Sequence, residues 1–393
     1  MRILLVTPFL PHPAARHGGG VALATLAAGW MRYAEVGLAA LASPQEDTIL
    51  AQENFGWSWA GTAPARPRPA GVRRLPHQLR MLWRWRDTPL VAAKYHSPAM
   101  AALLRRARTE FDPDVAFLEM AQTAQFLPAL AGLPTVLTDH EAGCPANTAT
   151  GLGPLGDRRD RRLWWRYVDR FYPLATRLQA LTPEDAAVLG DRLGRPVAVR
   201  GSVFPVAEAP VRPGAAPPRA LFLGDYSHGP NPEAAAILAR EVLPRIRARM
   251  PNAELWLGGP HEERLAAIAG EPGVRVLGFV PDLHGLLQQV RLLLAPAFSG
   301  TGIRTKCIAA FANGLPVVTN ALGARGADVP EPARLVAEGP AALADAALRL
   351  LTAPDLAEAG GRSGYEWARA NVAVDAIARA QVERARELVR PPQ

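Results

Sequence analysis

Short apolar runs rich in Val, Leu and Ile alternate along this chain with longer stretches in which apolar residues recur every three to four positions. The short runs read as strands at 3–9, 36–41, 114–119, 135–139, 178–181 and 197–200, and again at 220–224, 254–258, 274–278, 292–296, 317–319 and 334–336. The longer ones, such as 232–250 and 263–269, read as helices. This alternation predicts an α/β chain with parallel sheets and crossover helices on both faces. Between the two groups of strands, prolines at 205, 210, 213, 217 and 218 stop either element from continuing. The expected organisation is two Rossmann-like, doubly wound domains, 1–204 and 219–370, joined by a linker at 205–218 and facing each other across a cleft. A last Ala/Arg/Glu-rich helix at about 371–390 is expected to pack back on the first domain.

Ligands of such sheets sit beyond the carboxyl ends of the strands, so the loops there carry the candidate chemistry. The strand at 292–296 leads into Phe298-Ser299-Gly300-Thr301-Gly302-Ile303-Arg304-Thr305-Lys306, followed by a helical run to Asn313 and a glycine stop. The glycines let the N–H groups of Gly300, Thr301, Gly302 and Ile303 turn toward a common point, and the positive end of a helix follows directly. Arg304 and Lys306 add two cations, although cations ordinarily favour the opposite helix end. The pattern reads as a cradle for a diphosphate. It lacks the Gly-Lys-Ser/Thr of a mononucleotide loop, so ATPase or GTPase activity is not expected.

Three further loops stand out. His17-Gly18-Gly19-Gly20 follows the first strand, but a dinucleotide fingerprint would need a glycine where Leu23 stands and an acid at the end of the second strand. Gly19 and Gly20 read instead as a loop passing close to a ligand phosphate or sugar, or as a structural turn. In Gly224-Asp225-Tyr226-Ser227-His228-Gly229-Pro230-Asn231-Pro232, Asn231 reads as a helix N-cap with Pro232 at the first helical position, while His228 has no capping task and is a candidate ligand contact. Asp139-His140-Glu141 closes a strand of the first half, which makes His140 a candidate acid, base or hydrogen-bond donor.

Composition narrows the compartment more than the chemistry. The 393 residues suffice for two domains, and 49% hydrophobic content suffices for their cores. A net charge of +8 suits phosphate-rich ligands, an anionic membrane surface or nucleic acid equally. Cys144 and Cys307 lie far apart without neighbours at ligand spacing, which excludes a disulfide scaffold or a zinc site and suits a reducing cytoplasm. Pro8 interrupts the first apolar run, against a secretory leader, and the longest apolar stretch, 21–31, falls short of the ~20 residues a bilayer requires. Residues 73–86 and 158–167 mix arginine with tryptophan at near-helical spacing. They suit either ordinary helices with a Trp core face or an interfacial helix touching the inner membrane face or a lipid-linked acceptor. No nucleic-acid module surrounds them, so no nucleic-acid partner is expected.

Taken in order, these motifs resemble the retaining glycosyltransferases of the GT-B fold (the group 1, family 4-like kind), almost end to end. Leu221-Phe222-Leu223-Gly224 with Pro230-Asn231 resembles the opening strand and helix of that family's donor domain. Leu277-Gly278-Phe279-Val280-Pro281-Asp282-Leu283 resembles its Gly-Phe/Tyr-Val-x-Asp-Leu element, which usually meets the nucleobase. Gly300-Thr301-Gly302-Ile303-Arg304-Thr305-Lys306 resembles its diphosphate loop, and Ala312-Asn313-Gly314-Leu315-Pro316-Val317-Val318 the strand entry that follows. Gly18-Gly19-Gly20 and His140 fall where relatives place a substrate-contacting loop and an active-site histidine.

The resemblance implies sugar transfer from a UDP- or GDP-linked donor to a small-molecule, glycan or lipid-linked acceptor, with retention and no cofactor. Catalytic roles fall on His140, Arg304 and Lys306; no carboxylate cluster resembles a metal site, so the two cations stand in for a metal. Donor contacts fall on Gly19, Gly20, His228, Asn231, Phe279, Val280, Gly300, Thr301, Gly302 and Ile303. One departure matters: the family's Glu-x(7)-Glu pair is replaced by Thr301 and Ala309. A methyl group accepts no hydrogen bond, so the ribose is held elsewhere, the donor is unusual, or nucleotide binding is weaker. A non-catalytic sugar-nucleotide or glycan-binding relative, and a sugar-nucleotide hydrolase or epimerase, remain the alternatives.

Overall fold

The computed structural model describes residues 1–13, 15, 18–53, 55–65, 79, 81, 83–142, 153–227, 229–298 and 304–390. They form two compact units, Met1–Val203 with Val374–Gln393, and Phe204–Ala373.

The first unit is a seven-stranded parallel sheet in the order β3-β2-β1-β4-β5-β6-β7. Its strands are β1 (Arg2–Thr7), β2 (Glu35–Ala42), β3 (Trp59–Pro64), β4 (Val115–Glu119), β5 (Thr135–Asp139), β6 (Arg177–Ala180) and β7 (Ala198–Val199). Ile3, Leu4, Leu5 and Val6 of β1 are all fully buried, as a strand covered on both faces by helices must be. The edge strand β3 escapes the sequence pattern, because Gly61 and Pro64 depress strand propensity. The structure shows why Gly61 is needed: a Cβ there would sit 2.6 Å from Leu103 Cδ1 on the helix Pro98–Glu110.

The second unit is a six-stranded parallel sheet ordered β10-β9-β8-β11-β12-β13. It comprises β8 (Arg219–Leu223), β9 (Glu254–Gly258), β10 (Val274–Gly278), β11 (Leu292–Leu294), β12 (Val317–Thr319) and β13 (Arg334–Val336). Both sheets reverse direction of growth beside their first strand, between β1 and β4 and between β8 and β11. Those reversals are where loops diverge and leave room for a ligand.

Three sequence expectations change. Residues 205–218 are not a free linker but line the second unit. The Val211 N–H donates to Asn313 O at 2.7 Å, the Ala207 N–H donates to Ala312 O at 3.0 Å, and Gly314, at φ +83°, leaves Pro210 the space a Cβ would take. Prolines bar regular structure here, yet the remaining N–H groups still require acceptors, and the helix end at Asn313 supplies one. The helix expected at 232–250 starts at Pro230 and widens by a π-type turn at Leu238–Val242, just before Pro244, which has no N–H to donate. The helix expected at 263–269 reduces to the short 3₁₀ turn Glu262–Leu265.

The terminal helix Val374–Val389 belongs to the first unit, where Ile377, Ala378, Val382 and Ala385 join the core formed with Leu23, Leu26, Ala27 and Trp30. Trp30 Nε1 donates to Gln381 Oε1 at 3.1 Å, and Gln381 Nε2 donates to Gln179 Oε1 at 3.1 Å. The close approach depends on Gly29, where a Cβ would come within 2.8 Å of both Ala378 Cβ and Val374 Cγ1. Gly29→Leu is expected to lever this helix off and lower Tm, since each displaced apolar side chain forfeits about 1.5–3 kcal/mol. Amide exchange confined to 374–389 and the facing strands would show it; an unchanged Tm would refute the packing.

Candidate functional site

In the second unit, candidate residues gather at the carboxyl ends of β8, β10 and β11. The segment after β11 enters the helix Thr305–Ala312, which buries Cys307, Ile308, Ala310, Phe311 and Ala312 and leaves its start toward the loops. Lys306 lies in the first turn of that helix and is half-buried. Its Nζ donates to Asn231 Oδ1 at 2.9 Å and stands 4.1 Å from the centroid of the buried Phe222 ring. Neither partner carries charge, and among the described residues Lys306 has no ion pair. Burial, followed in the same direction by the neighbouring Arg304 charge, pushes its ammonium down to about 8. Arg304 directly precedes the helix, with Nε donating to Leu322 O at 3.3 Å. It also lines, with Cys307, Arg325 and Arg334, a cavity of about 10 Å³, room for no more than one water.

Asn231 is not the N-cap expected from sequence. The helix begins at Pro230 with Gly229 as its cap, because proline's fixed φ and missing N–H suit the first helical position. Asn231 therefore sits inside the first turn and turns its side chain back. Its Nδ2 donates to Asp225 O at 2.8 Å, and its Oδ1 receives Lys306 Nζ. A Cβ on Gly224 would lie 2.7 Å from Asn231 Cγ, so the glycine after β8 makes this placement possible. The amide thus ties the loop after β8 to the cation after β11, across the point where the sheet order reverses.

Phe279 and Val280 follow β10. Phe279 is 71% exposed, an open apolar ring at a strand's carboxyl end, whereas Val280 packs against the core around Trp256 and Leu287. Ala309 offers no polar side chain, but its carbonyl accepts from Asn313 Nδ2 at 2.8 Å, and Asn313 Oδ1 meets His284 Nδ1 at 2.9 Å. His228, Gly300, Thr301, Gly302 and Ile303 lie outside the described residues.

In the first unit, Gly19 and Gly20 are helical, within Gly18–Trp30, and take no positive φ. They belong to the first turn of that helix rather than to a loop ahead of it. His140 follows β5 and is partly buried, with Nε2 2.6 Å from Glu119 Oε2. Glu119, the last residue of β4, is fully buried. Burial alone would raise its pKa, but the Arg200 guanidinium and then the His140 hydrogen bond outweigh it and hold the carboxyl below the ordinary range. Asp139 behaves oppositely: burial raises it, only partly offset by the Tyr172 hydroxyl at 2.6 Å and the Glu141 N–H. Glu119 and Arg200 went unrecognised in the sequence reading. Their one signal was an acid terminating the otherwise apolar run Val-Ala-Phe-Leu at a strand's carboxyl end. Among the described residues no group of three His, Cys, Asp or Glu is placed to hold a metal, and no helix is long and apolar enough to cross a membrane.

Two Rossmann-like parallel sheets of this kind are shared with known sugar-handling proteins. The chain superposes on sucrose-phosphate synthase from Thermosynechococcus elongatus with a TM-score of 0.70 at 16% identity, covering 99% of each chain. It superposes on Anabaena HepE in complex with UDP with a TM-score of 0.69 at 15% identity, covering 98% of this chain and all of that one. A third likeness is to an Escherichia coli trehalose-6-phosphate protein bound with UDP-2-fluoro glucose, TM-score 0.66 at 13% identity over the whole of both chains. At these identities the likeness establishes the fold, which is GT-B. Residues 217–353 match the family Glycosyl transferases group 1, so the second unit carries a glycosyltransferase domain and the enzyme class is glycosyltransferase. No curated protein matches the chain.

Proposed function

We propose that the protein moves a sugar from a UDP- or GDP-linked donor to the hydroxyl of a small-molecule, glycan or lipid-linked acceptor, with retention of configuration and without a metal. The observation that carries this reading is Lys306: a half-buried ammonium at a helix start, steadied by an amide and an aromatic ring instead of a carboxylate. A cation kept in that state is completed by an anion. In the transfer, the bond from the anomeric carbon to the diphosphate breaks, and the acceptor oxygen bonds that carbon on the same face. The acceptor's proton passes to the departing phosphate oxygen. Lys306 and Arg304, with the N–H groups of Gly300, Thr301, Gly302 and Ile303, oppose the charge growing on the diphosphate. Asn231 holds Lys306, and His228 adds a donor contact. Phe279 borders the base, with Val280 beside it; in the first unit, Gly19, Gly20 and His140 are the candidate substrate contacts.

HepE has been solved with UDP and glucose, and a Staphylococcus aureus TarM variant with UDP and α-GlcNAc-glycerol, which supports a sugar nucleotide and a hydroxyl acceptor. The exposed Trp83 and Leu79, set among the arginines of 73–86, support peripheral contact with the inner membrane face of a cytoplasmic protein. Ala309, which leaves the ribose without its usual carboxylate, favours a second reading in which the chain binds sugar nucleotides without turnover.

Thermal shift with UDP, GDP and their sugars, followed by nucleotide release with and without acceptor extracts, separates these readings. Acceptor-dependent release supports transfer; binding without release supports the binding protein; release without acceptor supports a hydrolase. Arg304→Ala is expected to remove most of the donor-dependent shift. Because Lys306 is neutral above about pH 8 in the free protein, binding a diphosphate must restore its proton. Kd for UDP is expected to rise by up to about tenfold per pH unit above 8, with proton uptake seen in calorimetry in buffers of different ionisation enthalpy. A Kd constant from pH 7 to 9.5 would remove Lys306 from the site.

A further inference from the structure

Behind His140 stands a charged pair to which sugar transfer gives no task. Both oxygens of the Glu119 carboxylate are committed. Oε1 accepts from Thr138 Oγ1 at 3.0 Å and from Arg200 Nη1 at 2.8 Å, while among the described residues Oε2 faces only His140 Nε2, at 2.6 Å. Arg200 is as deeply buried as its partner, with 3% side-chain exposure against 0% for Glu119. A pair serving the fold alone would need only the Oε1 side, where the countercharge and the hydroxyl already meet. The second oxygen is spent on a residue at the carboxyl end of the sheet, where ligands are bound.

The chemistry of that bond is directional. A carboxylate held ionised by a guanidinium has no hydrogen to give, so the hydrogen between Glu119 and His140 belongs to Nε2. Two other acids of this stretch have partners of their own. Asp139 is taken by the Tyr172 hydroxyl and the Glu141 N–H, and Asp185 accepts from the Ala142 N–H at 3.2 Å and the Thr182 hydroxyl at 2.8 Å.

We propose that Glu119, paired with Arg200, is a positioning residue that fixes His140 as the Nε2–H tautomer and so presents Nδ1 as a hydrogen-bond acceptor to a substrate hydroxyl. The identity of that hydroxyl as a sugar's rests on the transfer reading; the tautomer does not. Glu119→Gln is a sharp test, because Arg200 and Thr138 both donate and will keep the amide oxygen on their side. The amide N–H₂ then faces His140, whose Nε2 must accept, and the ring hydrogen moves to Nδ1. The ligand-facing nitrogen changes from acceptor to donor with hardly any change in shape.

The experiment is a long-range ¹H–¹⁵N correlation spectrum of the full chain labelled at histidine, with His140 assigned by the signals that vanish in His140→Gln. The expected result is the Nε2–H pattern in the wild type and the Nδ1–H pattern in Glu119→Gln. Sugar transfer by the variant should fall about ten- to a hundredfold in kcat, while UDP still raises its Tm as in the wild type. A wild-type Nδ1–H pattern overturns the proposal, and that spectrum decides even if the variant does not fold. A variant that keeps the wild-type tautomer overturns it equally. If the tautomer flips but no donor sugar is ever transferred, the positioning role stands and the transfer reading falls.

Discussion

Lys306→Met is expected to reduce sugar transfer by about 100- to 1,000-fold, the cost of removing one preorganised charge from a developing anion. The variant is informative because the same change should not harm the free protein. Methionine keeps the length and apolar stem that lie over the Phe222 ring. It also removes an ammonium whose burial disfavours its charge. The folded pKa of Lys306 lies below that of an exposed lysine, so between about pH 8 and the ordinary lysine range the unfolded chain binds the extra proton. Stability contributed by this group therefore rises with pH across that window, and Met should flatten the rise. The measurement is kcat/KM and UDP-induced thermal shift alongside Tm without ligand. Loss of Tm in parallel with activity would make Lys306 a structural residue, and retained activity would place the diphosphate elsewhere.

Arg200→Met is expected to destabilise the first unit by about 3–5 kcal/mol, the usual consequence of stranding one member of a buried ion pair. For a unit of this size that corresponds to a fall in Tm of roughly 6–20 °C. The sign of the pH dependence distinguishes this mechanism from simple loss of packing. In the wild type, Glu119 has a folded pKa below its unfolded value, so its contribution is present above the unfolded pKa and disappears as pH falls through the folded one. Without Arg200, burial, the largest influence on this carboxyl, is opposed only by His140 and Thr138, and the folded pKa moves upward. The penalty is then greatest at neutral pH and shrinks on acidification. Tm values of wild type and variant should converge from pH 7 toward pH 5. A constant gap would mean that Arg200 matters for its volume and not for its charge.

Much of the fold was legible in advance because parallel strands buried on both faces must be continuously apolar, and helices between them must be striped. The strand β3 was lost for the converse reason: at an edge, Gly61 and Pro64 are tolerated, and pairing with β2 rather than propensity makes the strand. A diphosphate cradle could be proposed from sequence because glycines, a helix start and misplaced cations are local features. Asn231 was misread because a capping residue and a residue in the first turn of a helix look alike in sequence when Pro230 and Pro232 flank it. Its partnership with Lys306, 75 positions away, is set by the adjacency of β8 and β11.

The sequence alone determined the doubly wound α/β class, and it offered residues 300–306 and His140 as candidates for chemistry. Only the tertiary structure decided what surrounds each charge. It placed Lys306 against a ring and an amide, and it placed Glu119 and Arg200, 81 positions apart, in a dry pair behind His140. Local pattern follows from backbone geometry and neighbouring side chains, which sequence displays. The ionisation and direction of a buried group depend on desolvation and on partners delivered by distant strands, and these exist only once the sheet has closed over them.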